Sequence, residues 1–419
     1  MSAPPPRLTA GQAAARLGVK PETLYAYVSR GLIGRTRTAS GSFFDPLEVE
    51  AFAVRRTRRA TAASPDGARR SDGEPLMVLD TDIALVEDDE LFLRGEPAAR
   101  LAREQSFDAV AAWLWGERWD VGRRLRAPAT FVETARGLVA ALPSTASWID
   151  RVVVAVRALA TADPLRDDVG PRSLARVGEI VVAGIPRSLA PHAGIAEEAS
   201  APEALWQALT GSVPSPVEAA AVNAAMVLSV DHDLAVSTLA GRVAASARAS
   251  GYAVVTSALG AFDSPLHGNA SQAAAQLLGD VVGGMPADVA IGMQLRTLGR
   301  GAPGFGHSHY RGVDARAGAL LRAIEPLDPE RTVGVAVDAL REAMRPTGLH
   351  PNLDLALAAL TVAAGMPVDA GALVFATARV AGWIAHASDE YGSPPMRLRP
   401  RGRYTGPAPD WSRVEAGDG

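Results

Sequence analysis

Between residues 107 and 229 the chain runs through alanine-, leucine- and valine-rich stretches at helical spacing, punctuated by prolines and nearly free of continuous β-branched runs. Residues 107–115, 128–141, 148–162, 177–190, 202–209 and 216–229 each read as a helix. Several are apolar on nearly all sides. A helix of that kind has no face to give to water, so it must be enclosed by other helices or by a second subunit. This predicts an all-α fold with a large buried core, and 419 residues suffice for two or three domains. The hydrophobic fraction of 48% and charged fraction of 21% suit a globular chain. The absence of cysteine excludes disulfides, thiolate catalysis and thiolate metal sites. The first residues, M-S-A-P-P-P-R-L-T, lack an apolar signal core, and no uncharged apolar run reaches the length of a membrane span, which leads us to expect a cytoplasmic protein.

Charge divides the chain unevenly. Residues 1–75 carry twelve Lys and Arg against seven Asp and Glu, a net +5, which leaves −9 for the remainder of a chain at −4. A basic head on an acidic body points to nucleic acid for the head alone. Within it, Thr9 is placed to cap a short helix that Gly18 ends, and Pro21 suits the first turn of a second helix that stops near Gly31. Leu24, Tyr25 and Val28 are expected to face inward from that second helix. Two short helices about one tight turn make a helix-turn-helix. Residues 35–44 then read as a hairpin wing, followed by another helix. The segment resembles the small winged helix-turn-helix domains of the MerR and excisionase type. On that reading Arg16, Lys20, Tyr27, Arg30, Arg35 and Arg37 are the DNA contacts. A domain retained for interaction or regulation, with these groups merely solvated, is the alternative. We assign residues 1–56 to this domain and 57–75, which hold almost no large apolar side chain, to a linker. Residues 76–95 read as a small hairpin.

Chemistry-bearing residues gather in four places. Residues 303–316 read P-G-F-G-H-S-H-Y-R-G-V-D-A-R, with two glycines before His307 and the forks of Arg311 and Arg316 after it. His232 lies in D-H-D at the end of an apolar helix, His267 is framed by Pro265 and Gly268 ahead of another helix, and Asp354 precedes a very apolar one. Taken singly, each has an ordinary explanation: a core or capping histidine, a helix-capping aspartate, a solvated loop. No P-loop, dinucleotide fingerprint or G-x-S-x-G is present. His232, His267 and His307 stand 35 and 40 residues apart with no i,i+4 pair, so no metal site is expected.

Taken together, V-D-H-D-L-A-V-S-T, G-A-F-D-S-P-L-H-G-N-A, the 303–316 segment, L-H-P-N-L-D and F-A-T-A-R-V-A-G-W-I-A-H with R-L-R-P-R-G-R-Y-T-G-P occur in the order found in citrate synthases. The chain resembles that family over roughly residues 76–407. The resemblance implies an almost wholly helical homodimer with a large domain (76–265 and 355–419) and a small mobile one (266–354). It implies Asp354 as the base that enolises acetyl-CoA, neutral His267 as donor to the thioester oxygen, and His307 as donor to the ketone oxygen of oxaloacetate. His232, Arg316 and Arg379 would hold the oxo acid, Arg399 would enter from the partner subunit, and Arg311 would meet CoA phosphates. No cofactor is implied beyond the acyl-CoA substrate. Departures from the family pattern include Ala235 where an asparagine is usual, Asn269 in place of a glycine, and Ser308, His309 and Ala315 in the histidine loop. A 2-methylcitrate synthase using propionyl-CoA, and a metabolite-sensing DNA-binding regulator built on a weakly active body, are the competing readings.

Overall fold

A computed structural model of the chain describes residues 6–62, 78–190, 194–299, 301–307, 309–310 and 312–407. The apolar stretches form helices where the pattern placed them: Phe107–Leu114, Ala129–Ala140, Trp148–Ala162, Ala201–Thr210 and Pro216–Ser229. The stretch expected at 177–190 is the later part of a longer helix, Pro171–Leu189. Its polar opening turns hid the true start, although proline at the first helical position marks it. The hairpin near the N-terminal end of the body gains a third strand, with β-strands Ala84–Glu87, Glu90–Leu93 and Glu96–Pro97 in an antiparallel meander.

One hydrophobic cluster extends from Ile83 to Ala385. At its centre lies the 22-residue helix Ala370–Tyr391, long and apolar enough to cross a membrane, yet its whole apolar window is buried within the protein. Enclosure by other helices meets the same need that lipid would. This helix packs on Pro171–Leu189, Pro216–Ser229, Val236–Ser246 and Gly251–Phe262. The Leu353–Ala363 helix packs chiefly on Ala270–Val282 and Ala315–Ile324. The domain boundary expected at 354/355 falls within this helix.

The head has its own small core of Leu8, Ala13, Ala14, Leu17, Leu24, Ile33, Phe44 and Val49. Its elements are β1 (Leu8–Thr9), α1 (Ala10–Leu17), α2 (Pro21–Ser29), β2 (Thr36–Thr38), β3 (Gly41–Phe44) and α3 (Pro46–Ala62), with sheet order β1-β3-β2. Thr9 and Gln12 form a reciprocal cap at the start of α1, and Gly18 closes it. Because α3 runs to Ala62, residues 57–62 of the expected linker are helical; residues 63–75 lie outside the described residues.

Two expectations for α2 exchange places. Tyr25 is exposed, whereas Tyr27 packs inward beside Phe52 with ring centroids 4.9 Å apart. The helical period explains this, since Leu24, Tyr27 and Val28 stand at i, i+3 and i+4 on one face while Tyr25 is a quarter-turn away. Arg16 is likewise a structural residue, its guanidinium bonded twice to buried Glu50 at 2.7 and 2.6 Å. Of the residues expected to meet DNA, Tyr27 and Arg16 are thus engaged within the head, while Lys20, Arg30 and Arg37 are exposed and Arg35 lies near the Tyr25 ring. The head is also docked: Leu47 packs against the body's core, Pro6 and Pro46 lie against Gly292, and α3 packs on the turn Arg345–Thr347.

Candidate active site

The histidine loop is built by its glycines. Gly304 and Gly306 have φ of +80° and +77°, and a Cβ on Gly304 would sit 2.8 Å from Leu355 Cβ. Only glycine accepts both the turn and the close approach at little cost. This lets the loop run against residues 350–352: Gly306 N donates to His350 O at 2.8 Å, Asn352 N to Gly304 O at 3.0 Å, and Asn352 Nδ2 to Gly306 O at 2.8 Å. The pairing fixes His307 beside the start of the Leu353–Ala363 helix. Asn352 is the cap of that helix, accepting from Asp354 N and Leu355 N. Asp354, expected as either cap or base, therefore stands in the first turn, with Asn352 as the cap.

Asp314 ties the same helix to an arginine. Its carboxylate takes Arg316 Nε at 3.0 Å and Nη2 at 2.9 Å, and also accepts Leu353 N at 3.1 Å. Arg316 is 3% exposed, lies over the Tyr310 ring at 5.1 Å and is within electrostatic reach of Asp354. Tyr310 shares a hydrogen bond of 3.0 Å with His232 Nε2, and the His232 and His307 rings meet at 4.8 Å. From the other side comes Arg379, 1% exposed, donating through Nε to Ser229 O at 2.9 Å and lying over Phe375 at 4.8 Å. Among the described residues its buried Nη1 has no hydrogen-bond partner, and Asp231 Oδ1 is 3.8 Å away. A buried donor left in this state invites an anionic acceptor. Phe375 touches the His267 ring at 5.9 Å, and Ser237 Oγ lies 2.7 Å from His267 Nε2.

Burial and the two guanidinium groups set the charge of the imidazoles. His267 is pushed down to about 4, first by desolvation and then by Arg379. His307 falls to about 3, by desolvation and then Arg316, and His232 moves well below the usual value for the same two reasons. All three are neutral at pH 7, the form that donates a hydrogen bond without carrying charge. Arg379 is itself lowered to about 10 by burial, which leaves it a cation.

A model of the citrate synthase C-terminal domain matches residues 74–401. The chain belongs to the citrate synthase family. Among its relatives, 2-methylcitrate synthase of Mycobacterium tuberculosis is 28% identical over 339 residues, covering 75% of this chain and 84% of that protein. Citrate synthase of Mycolicibacterium smegmatis is 28% identical over 374 residues, covering 83% and 98%. Citrate synthase of Thermoplasma acidophilum, solved as a ternary complex with carboxymethyl coenzyme A and oxaloacetate, shares the fold at a TM-score of 0.64 and 22% identity, covering 80% of this chain and 96% of that one.

Of the residues singled out from sequence, the citrate synthase body brings His232, His267, His307, Arg316, Arg379 and Asp354 into this one connected region. Arg399 stays apart in the single chain, exposed on the segment after the last helix, where Leu398 and the bond from Met396 N to Ser246 O hold the backbone. Arg311 lies outside the described residues. Sequence reasoning missed Ser237, Tyr310 and Asp314 as partners; each stands inside one of the motifs, but its contact is with a residue 30 to 78 positions away. It also missed that His309 joins His232 and His307, whose ring nitrogens lie within 4.8 Å of one another. Spacing rules, which detect ligands on one helix, do not register imidazoles gathered from two loops.

Proposed function

We propose that this chain condenses acetyl-CoA with oxaloacetate to give citrate and CoA. The observation that carries the reading is two neutral imidazoles, His267 and His307, set beside two buried guanidinium groups with an acidic residue at a neighbouring helix start. Asp354 takes a proton from the acetyl methyl group while His267 donates a hydrogen bond to the thioester oxygen, so that an enol forms without a full negative charge. The enol carbon attacks the ketone carbon of oxaloacetate, and His307 delivers hydrogen-bonding or a proton to the ketone oxygen. Water then cleaves the citryl thioester. Arg316, Arg379 and His232 hold the oxo acid's carboxylates, with the unpartnered Nη1 of Arg379 as one donor. Each acid–base group contributes about 10²- to 10⁴-fold, and orientation in a closed site up to about 7–11 kcal/mol. Ser237 keeps His267 in place. Arg311 meets CoA phosphates, and a homodimer brings Arg399 into the partner's site. Loss of Arg399 by Arg399→Ala should raise the KM for oxaloacetate without changing the fold.

The acyl group is the open choice. A pocket separates acetyl from propionyl by only about 1–3 kcal/mol for one methylene, so 2-methylcitrate synthesis is the near neighbour. Thiol release measured with acetyl- and propionyl-CoA across several 2-oxo acids decides between them. No release with any pair would favour a metabolite sensor instead.

A second role rests on the head. Its helix pair, small sheet and exposed Lys20, Arg30 and Arg37 suit a winged helix-turn-helix of the MerR or excisionase type that contacts DNA phosphates. A gel shift with the chain's own upstream region tests this. Binding that weakens steeply with salt is the expected result, and its absence at low salt rejects it.

A further inference from the structure

The reaction above uses His232 and His307 but leaves the His309 side chain without a task. All three imidazoles nevertheless meet. Their ring centroids are 4.8, 5.3 and 5.3 Å apart, with interplanar angles of 71°, 90° and 50°, so none is stacked face to face. One ring nitrogen from each lies within 4.8 Å of the other two. Three atoms so spaced share a centre no more than about 2.8 Å from each, so a contraction of under about 1 Å reaches the usual Zn–N distance of about 2.0–2.1 Å.

Arg316 and Arg379 oppose a cation at these rings, and nearby carboxylates offset them in part. Arg316 is paired with Asp314 at 2.9 Å and Arg379 has Asp231 at 3.8 Å, while Asp233 adds a further carboxylate 3.2 Å from His309 Nε2. A carboxylate on a ligating histidine fixes ring orientation and raises its basicity. The fourth position would be open to water, as in sites with three imidazole ligands.

We propose that His232, His307 and His309 form a site for a divalent transition metal of the zinc type, and that an ion held there excludes the oxo acid. The exclusion rests on the reading of His232 and His307 as oxo-acid contacts; the metal binding does not. Equilibrium dialysis of the full chain against Zn²⁺, with metal analysis, should give one equivalent per chain. His307 Nδ1 accepts the His309 backbone N–H at 3.1 Å, so without metal its other ring nitrogen carries the proton, and a metal must displace one or the other for this ring to ligate. His309→Val removes one imidazole and should weaken binding at least about tenfold, and Asp233→Asn should weaken it less. Oxaloacetate should displace the bound zinc, and zinc should inhibit thiol release competitively with oxaloacetate, reversibly by chelator. Without zinc, His309→Val should still turn over. Unchanged binding in His309→Val, or no stoichiometric zinc, overturns the site. Zinc retained in the presence of oxaloacetate overturns the exclusion. Dialysis is read independently of activity, so a chain that condenses nothing but binds zinc through His309 refutes only the enzymatic reading.

Discussion

Acidification from pH 7 to pH 5 should destabilise this protein through its buried imidazoles, and replacing one of them should remove a defined share of that effect. In the folded chain His267 stands at about 4 and His307 at about 3, against about 6.5 for an unfolded histidine. Between those values the unfolded chain takes up a proton that the folded site refuses. Unfolding is therefore favoured as pH falls below about 6.5, and the slope ends only near the folded values. For each imidazole the loss between pH 7 and pH 5 amounts to about 1.8 kcal/mol. The stability difference between the wild type and His307→Asn should shift by that amount over this interval, in favour of the variant at low pH. Carboxylates elsewhere titrate alike in both proteins and cancel. Urea midpoints at several pH values measure the difference. With seven histidines in the chain, ¹⁵N-histidine spectra can follow the individual rings. A His307 or His267 resonance titrating near 6.5, or a stability gap flat from pH 7 to pH 5, would refute the account of burial beside Arg316 and Arg379.

Three further outcomes are expected. If Asp354 is the base proposed above, Asp354→Asn should lower condensation by about 10²- to 10⁴-fold while leaving oxaloacetate affinity nearly unchanged in calorimetry. Ser237→Ala should cost about tenfold in kcat with oxaloacetate binding intact, because it frees the His267 ring from a 2.7 Å partner without touching the oxo-acid contacts. Arg16→Ala leaves Glu50, 1% exposed, without its bidentate partner and should destabilise the head by about 3 kcal/mol, read as a lowered first thermal transition. In that variant any salt-dependent DNA affinity measured below the transition should fall little, whereas Arg30→Ala should weaken it.

Periodicity made much of the scaffold legible. The helices at Trp148–Ala162 and Pro216–Ser229 begin and end where the pattern of apolar residues, serines and prolines put them, because both signals are local. The Thr9 cap and the Pro21 start were readable for the same reason. Reading failed where facing mattered. Tyr25 and Tyr27 differ by two residues; the period from Leu24 puts Tyr27 on the inner face, and Phe52 of α3 is what covers it there. Arg16 looked like one more exposed cation until α3 brought Glu50 beneath it. Asn352 and Asp354 are both good helix-capping types, and the bond from Asn352 Nδ2 to Gly306 shows which one the loop has drafted for that task.

The sequence by itself determined a helical body, a basic head and the identities of the residues able to do acid–base chemistry, since propensity, charge and side-chain type are properties of short segments. Tertiary structure alone decided that His307, His232, Arg316 and Arg379 share one buried region, that their imidazoles are neutral, and that His309 joins them. Those facts depend on desolvation and on distances between residues far apart in the chain, and neither is set until the helices pack.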